Sequence, residues 1–109
     1  MSRVDNEILH NQMNWRYACK KFDSTKKIRE ADWNILAESL RLSPSSYGLQ
    51  PWKFIVVQNL ELRKKLLPLS WGQTPIVDAS HIVVITYKEK MDETHINKHI
   101  EQMAKIRGI

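Results

Sequence analysis

One cysteine, Cys19, is all that this 109-residue chain contains. It rules out an internal disulfide, so nothing in the cysteine usage points to an oxidising compartment. Long apolar runs are also missing. The longest, around Phe54-Ile55-Val56-Val57 and Ile82-Val83-Val84-Ile85, fall far short of the ~20 residues that a membrane-spanning helix needs. No charged segment followed by an apolar stretch opens the chain as a secretory signal would. The expectation is a cytoplasmic protein with no membrane contact. Three glycines and four prolines form no low-complexity linker, and no internal repeat is visible, so 109 residues fit one domain. A chain of this size is expected to bury roughly 60 to 70% of its unfolded surface.

Lysine and arginine outnumber aspartate and glutamate by 17 to 12, for a net charge of +5. The basic residues are spread along the chain, with pairs at Lys20-Lys21 and Lys26-Lys27 and a triplet at Arg63-Lys64-Lys65, a pattern that reads mostly as solvated surface. Aromatic residues are not interleaved with these charges as stacking platforms, which leaves a basic nucleic-acid-binding domain as the weaker alternative.

Periodicity places four helices and two strands. Asp5 or Asn6 caps a first helix with Ile8, Leu9 and Met13 on one face, ending near Trp15. The segment from Arg16 to Lys20 then runs extended or irregular, and alternation puts Arg16, Ala18 and Lys20 on one side. A second helix carries Glu30 and Asp32 in its first turn and Trp33, Leu36, Ala37 and Leu40 at helical spacing, and Pro44 stops it at Ser43. The polar, rigid loop Ser43 to Trp52 leads into a strand at Phe54-Val57 of buried type. Asn59 caps a third helix with Leu62, Leu66 and Leu69 as its apolar face and the basic triplet toward its negative end, and Pro68 stops it. A second buried strand spans Ile82–Tyr87, with His81 before it as a hydrogen-bonded structural histidine. Asp92 caps a last helix with Ile96, Ile100, Met103 and Ala104 on one face, and Gly108 closes it. His95 and His99 stand at a spacing that can bind a metal, but Ile96 occupies the place where a zinc-protease helix carries its glutamate, so no metal is assigned.

Three motifs occur in order: Arg16-Tyr17-Ala18-Cys19-Lys20-Lys21-Phe22-Asp23, then Ser43-Pro44-Ser45-Ser46 with Gln50-Pro51-Trp52, then Asp78-Ala79-Ser80-His81 leading into a strand. Together they resemble the FMN-dependent nitroreductase family, in particular its NAD(P)H-dependent nitroreductase and dihydropteridine reductase branch. The resemblance covers nearly all of the chain but about the N-terminal half of the family's domain. It implies an α+β fold, an α-β-α sandwich with a mainly antiparallel sheet flanked by helices, incomplete in residues 1–109. It also implies a homodimer with shared flavin sites, FMN as cofactor, NAD(P)H as electron donor, and a small-molecule acceptor such as a nitro compound, quinone or pteridine, reduced by ping-pong hydride transfer.

The resemblance assigns the flavin to Arg16, Tyr17, Ala18 and Lys20, with the arginine at the phosphate and the lysine near the pyrimidine edge of the ring. Pro44, Ser45 and Ser46 are implied to reach the flavin bound to the partner subunit, and Gln73 to stand on the pyrimidine side. Gln50, Pro51 and Trp52 are left to hold the loop and begin the strand. Ala18 departs from the hydroxyl residue the family often has, and Thr74-Pro75 replaces its lysine region. No protein nucleophile or metal is implied, because the cofactor carries the chemistry. The family's second phosphate-binding basic segment and its contact near flavin N5 have no match here, so residues 1–109 alone are expected to be inactive. A truncated, non-catalytic flavoprotein-like dimerisation module is the alternative from another functional class.

Overall fold

Two antiparallel strands form the centre of the computed structural model, which describes residues 3–109. β1 (Trp52–Val57) pairs with β2 (Ile82–Tyr87) so that Trp52 lies opposite Tyr87 and Val57 opposite Ile82. Both are rich in β-branched and aromatic residues, which suit a pleated surface. In chain order the helices are α1 (Asn6–Trp15), α2 (Glu30–Leu42), α3 (Leu60–Leu66), α4 (Pro75–Asp78) and α5 (Glu93–Arg107), with 3-10 turns at Ser46–Gly48 and Pro68–Ser70.

The expected end signals operate. Asp5 accepts from the Glu7 N–H at 2.7 Å, Asn59 from Leu62 at 2.9 Å and Asp92 from His95 at 2.9 Å, each satisfying an orphan donor of a first turn. α2 stops at Leu42 because Pro44 holds Ser43 extended, at φ −62° and ψ 134°. Gly108 at φ 70° turns the chain so that the Ile109 N–H reaches the Ala104 carbonyl at 3.0 Å. α4, a helix beyond the four expected, is a single turn with Pro75 at its first position.

The basic triplet divides. Lys64 and Lys65 are exposed, with Lys64 paired to Glu61 at 2.8 Å, but Arg63 is only 4% exposed. Its Nε donates to the Ile76 carbonyl at 2.8 Å and its Nη2 to the Ala79 carbonyl. Sequence spacing treats the triplet as uniformly solvated. The reason one member turns inward is that α4 ends in carbonyls lacking intrahelical partners, and the guanidinium fork can satisfy two of them at once.

Burial is far below the sequence expectation. The accessible surface is 10116 Å², against about 6,300 Å² for a compact chain of this mass, so the chain buries about 45% of its extended surface. The radius of gyration is 18.3 Å, where about 13 Å is usual. Among the described residues Val57 and Ala79 are the buried apolar side chains. Ile55, Val56, Val84 and Ile85, expected in a buried sheet, are all exposed, as are Leu62 and Leu69 of the expected α3 face and Ile96 and Ile100 of α5. A two-stranded sheet has too few neighbouring rows to cover either of its faces.

Arg63→Met is expected to cost about 2 to 4 kcal/mol, because it removes two hydrogen bonds from a charged donor and strands two carbonyls. Lys65→Met, at an exposed position, is expected to stay within about 0.5 kcal/mol. Denaturant unfolding of the intact protein measures both; equal midpoints for the two variants would show that the Arg63 contacts contribute nothing to stability.

Candidate functional site

Between α1 and α2 lies a segment with no helix or strand, residues 16–29. It leaves α1 at Arg16, whose N–H still bonds the Gln12 carbonyl at 2.9 Å while its backbone turns extended. Arg16, Tyr17, Ala18 and Lys20 are all exposed. Further along, the Asp23 Oδ1 accepts from the Thr25 hydroxyl at 2.6 Å and from its N–H at 3.0 Å. These two bonds, the hydroxyl first, hold the Asp23 carboxyl below the usual carboxylate range. The segment is then tied down: the Ile28 N–H donates to the Ser80 Oγ at 2.8 Å. That hydroxyl also lies 2.8 Å from the His81 Nδ1, and the His81 ring stacks on Trp33 with centroids 4.0 Å apart. His81 therefore has the hydrogen-bonded structural role that its position before β2 predicts.

This anchoring sets the 16–29 segment against the turn that precedes α4. Cys19, Lys20, Gly72, Gln73, Thr74 and Pro75 line one crevice of about 430 Å³. Two predicted site residues, Lys20 and Gln73, thus come from distant parts of the chain to a common wall. The turn is shaped by left-handed backbone at Trp71 and Gly72, φ 55° and 67°, and by the Gly72 N–H bonding the Leu67 carbonyl at 3.0 Å. Gln73 lies two residues before α4, which Arg63 holds. Simple alternation places Cys19 away from Lys20; the backbone bend at Lys20 brings both to the crevice. Thr74 and Pro75, which stand where the resemblance places a lysine region, join them, and no sequence signal marks Cys19 as a site residue.

Arg16, Tyr17 and Ala18 lie outside this crevice, as do Pro44, Ser45 and Ser46. The latter three sit on the loop between α2 and β1. There the Ser45 Oγ accepts from the Gln50 N–H at 2.9 Å, and the Gln50 side-chain amide donates to the Arg41 carbonyl at 3.1 Å. Gln50 holds the loop, as its place in the sequence predicts. The Ser45 hydroxyl is half-buried and engaged in closing the loop, whereas Ser46 is exposed. His95 and His99, at metal-binding spacing in the sequence, direct their Nε2 atoms at loop carbonyls of Leu49 and Tyr47, each at 3.1 Å. Among the described residues no group of three or more His, Cys, Asp or Glu side chains is arranged to hold a metal ion, and no helix is long and apolar enough to cross a membrane.

The Nitroreductase family's sequence model matches residues 13–107. "Putative NAD(P)H nitroreductase SSP0379" of Staphylococcus saprophyticus is 42% identical over 106 residues, 96% of this chain and 47% of that protein. "Putative NAD(P)H nitroreductase YfkO" of Bacillus subtilis is 41% identical over 111 residues, 97% of this chain and 50% of that protein. Among solved structures, a "putative nitroreductase in complex with FMN" from Exiguobacterium sibiricum superimposes with a TM-score of 0.68, covering 99% of this chain and 50% of that one at 22% identity, a likeness of fold. The chain spans about half the length of the curated relatives it matches. Its strand pair and flanking helices are part of an α+β nitroreductase-like fold, and the family match over 13–107 places the conclusion beyond the fold alone: the chain belongs to the Nitroreductase family.

Proposed function

We propose that residues 1–109 form the N-terminal half of an FMN-binding domain in an NAD(P)H-dependent oxidoreductase that works as a homodimer. The observation that carries this reading is the crevice shared by Lys20 and Gln73. The pyrimidine edge of a flavin alternates hydrogen-bond acceptors with an N–H donor. Gln73 offers both an acceptor and donors, and Lys20 offers donors with a full positive charge, so the residues present fit that edge. The names of the relatives, NAD(P)H nitroreductases, and the FMN in the Exiguobacterium neighbour support the same assignment. FMN, when bound, supplies two-electron chemistry, taking hydride from NAD(P)H and reducing a nitro compound, quinone or pteridine in a second half-reaction.

The chain's own residues bind and tune. Arg16 presents a planar fork suited to two parallel charge-assisted bonds with phosphate oxygens, and its exposure at the start of the 16–29 segment leaves that fork free to do so. Lys20 sets a fixed charge beside the ring edge where negative charge gathers on reduction, which favours the reduced state. Tyr17 and Ala18 contribute backbone, since Ala18 has no hydroxyl to offer. Pro44, Ser45 and Ser46 complete the site of the partner subunit. With its hydroxyl oxygen accepting from Gln50, Ser45 keeps the loop's shape, and Ser46 makes the outward contact.

The longer protein of which residues 1–109 would be the N-terminal half should carry a flavin absorbance spectrum and oxidise NAD(P)H in the presence of a nitroaromatic; a colourless preparation of it that binds no added FMN would overturn the reading. Arg16→Ala is expected to weaken FMN binding by about ten- to hundredfold, the loss of one charge-assisted contact of ~1.5 to 3 kcal/mol. An unchanged dissociation constant in fluorescence titration would remove Arg16 from the phosphate. Lys20→Met should lower the two-electron midpoint potential by about 30 to 60 mV, since ~1.4 kcal/mol corresponds to 30 mV for such a couple. Spectroelectrochemical titration decides it, and a potential equal to or above that of the parent protein contradicts the role given to Lys20.

A further inference from the structure

Resting on the reading that Pro44, Ser45 and Ser46 meet the cofactor, we infer that His95 and His99 are positioning residues that latch this loop to α5 through two imidazole hydrogen bonds. The loop needs such support. Tyr47, Gly48 and Gln50 all have left-handed backbone, with φ of 53°, 68° and 45°. For residues other than glycine this region is costly and persists where surrounding contacts over-determine it. Inside the loop, the Gly48 N–H bonds the Ser45 carbonyl at 2.9 Å, the Leu49 N–H bonds the Ser46 carbonyl at 3.2 Å, and the Gln50 N–H bonds the Ser45 Oγ. These bonds satisfy the N–H groups and leave the Tyr47 and Leu49 carbonyls facing α5. His99 and His95 meet them there, each at 3.1 Å.

The partners fix the protonation pattern of His95. A backbone carbonyl only accepts, so the Nε2 that faces Leu49 carries the hydrogen. The Lys88 ammonium, 2.7 Å from the Nδ1, only donates, so that nitrogen presents its lone pair. His95 is thus held from both sides, by the Leu49 carbonyl at its Nε2 and by the Lys88 ammonium at its Nδ1. The i, i+4 spacing puts both rings on one face of α5, and their targets, two residues apart, lie along the loop. His99 also packs on the loop: a Cβ at Gly48 would stand 3.6 Å from its Cε1. The latch is mounted on fixed points, since Asp92 caps α5 through the His95 N–H and the Lys88 N–H bonds Pro51 at the loop's end at 2.8 Å. Between the latch bonds the loop and α5 enclose a cleft of about 590 Å³ lined mainly by polar side chains, among them Lys88, Asp92, Lys98 and Gln102, so apolar packing does not substitute for the two bonds.

Amide exchange of the intact protein, read at Gly48, Leu49 and Gln50, together with FMN titration, tests this. His95→Ala and His99→Ala should each speed exchange at those amides by about tenfold and weaken FMN binding by about three- to tenfold. His95→Gln, whose amide can donate to the same carbonyl, should recover most of both effects. Lys98→Met, in the same cleft without a bond to the loop, should change neither. If an alanine variant does not fold, Lys88→Met, which keeps the imidazole but frees its Nδ1, should shift exchange in the same direction by about threefold. Unchanged loop exchange in these variants overturns the latch. Faster loop exchange with an unchanged FMN dissociation constant overturns the positioning role while the cofactor reading stands. Absence of FMN binding by the parent protein overturns the cofactor reading and the positioning role with it, and exchange still decides whether the latch exists.

Discussion

The buried guanidinium of Arg63 is the contact on which the site's geometry depends. It reaches from α3 to the Ile76 and Ala79 carbonyls and so fixes both ends of a consequence. On one side α4 is held, and Gln73, two residues before α4, lines the same crevice as Lys20. On the other side Ala79 is held, and Ser80 beside it receives the Ile28 N–H, which anchors the far end of the 16–29 segment. Desolvating a charge is costly, and carbonyl dipoles rather than a carboxylate offset it here. A lysine could not replace this arrangement, because one ammonium on a flexible stem does not span two carbonyls with the fixed fork of a guanidinium.

What Arg63 organises stands on an unusually exposed scaffold. The sheet offers Ile55, Val56, Val84 and Ile85 to solvent, and α5 offers Ile96 and Ile100. Apolar area of this extent is driven to find cover, by further strands and helices or by a second subunit. The need is functional as well as energetic, since binding groups on loops hold their geometry only as well as the elements beneath them are held. The curated relatives are about twice as long as the stretch they match.

Polar bonds rather than packing shape the two loops that carry the candidate residues. In the 43–51 loop Ser45, Gln50, His95 and His99 supply those bonds, and in the 16–29 segment Asp23, Thr25 and Ser80 do. Each bond is individually modest, of about 0.5 to 1.5 kcal/mol, yet most of them tie down a backbone group.

The sequence by itself determined what depends on near neighbours. Asp5 or Asn6 as the first cap, with Asp5 the one observed, Asn59 and Asp92 as caps, Pro44 as the stop of α2, Gly108 as the end of α5 and the extents of both strands to within two residues follow from local sterics and from donors a few residues away. The three motifs also located the family, because their order and spacing are properties of the chain alone. Tertiary structure decided the rest. Which member of Arg63-Lys64-Lys65 turns inward depends on carbonyls more than ten residues away, and Lys20 and Gln73, far apart in the chain, come to line one crevice. The histidines of α5 could be read as a metal pair from their spacing, but their partners are backbone carbonyls that no residue pattern identifies. Side-chain type and spacing carry local preference; which distant acceptor a donor finds is settled only when the chain has closed on itself.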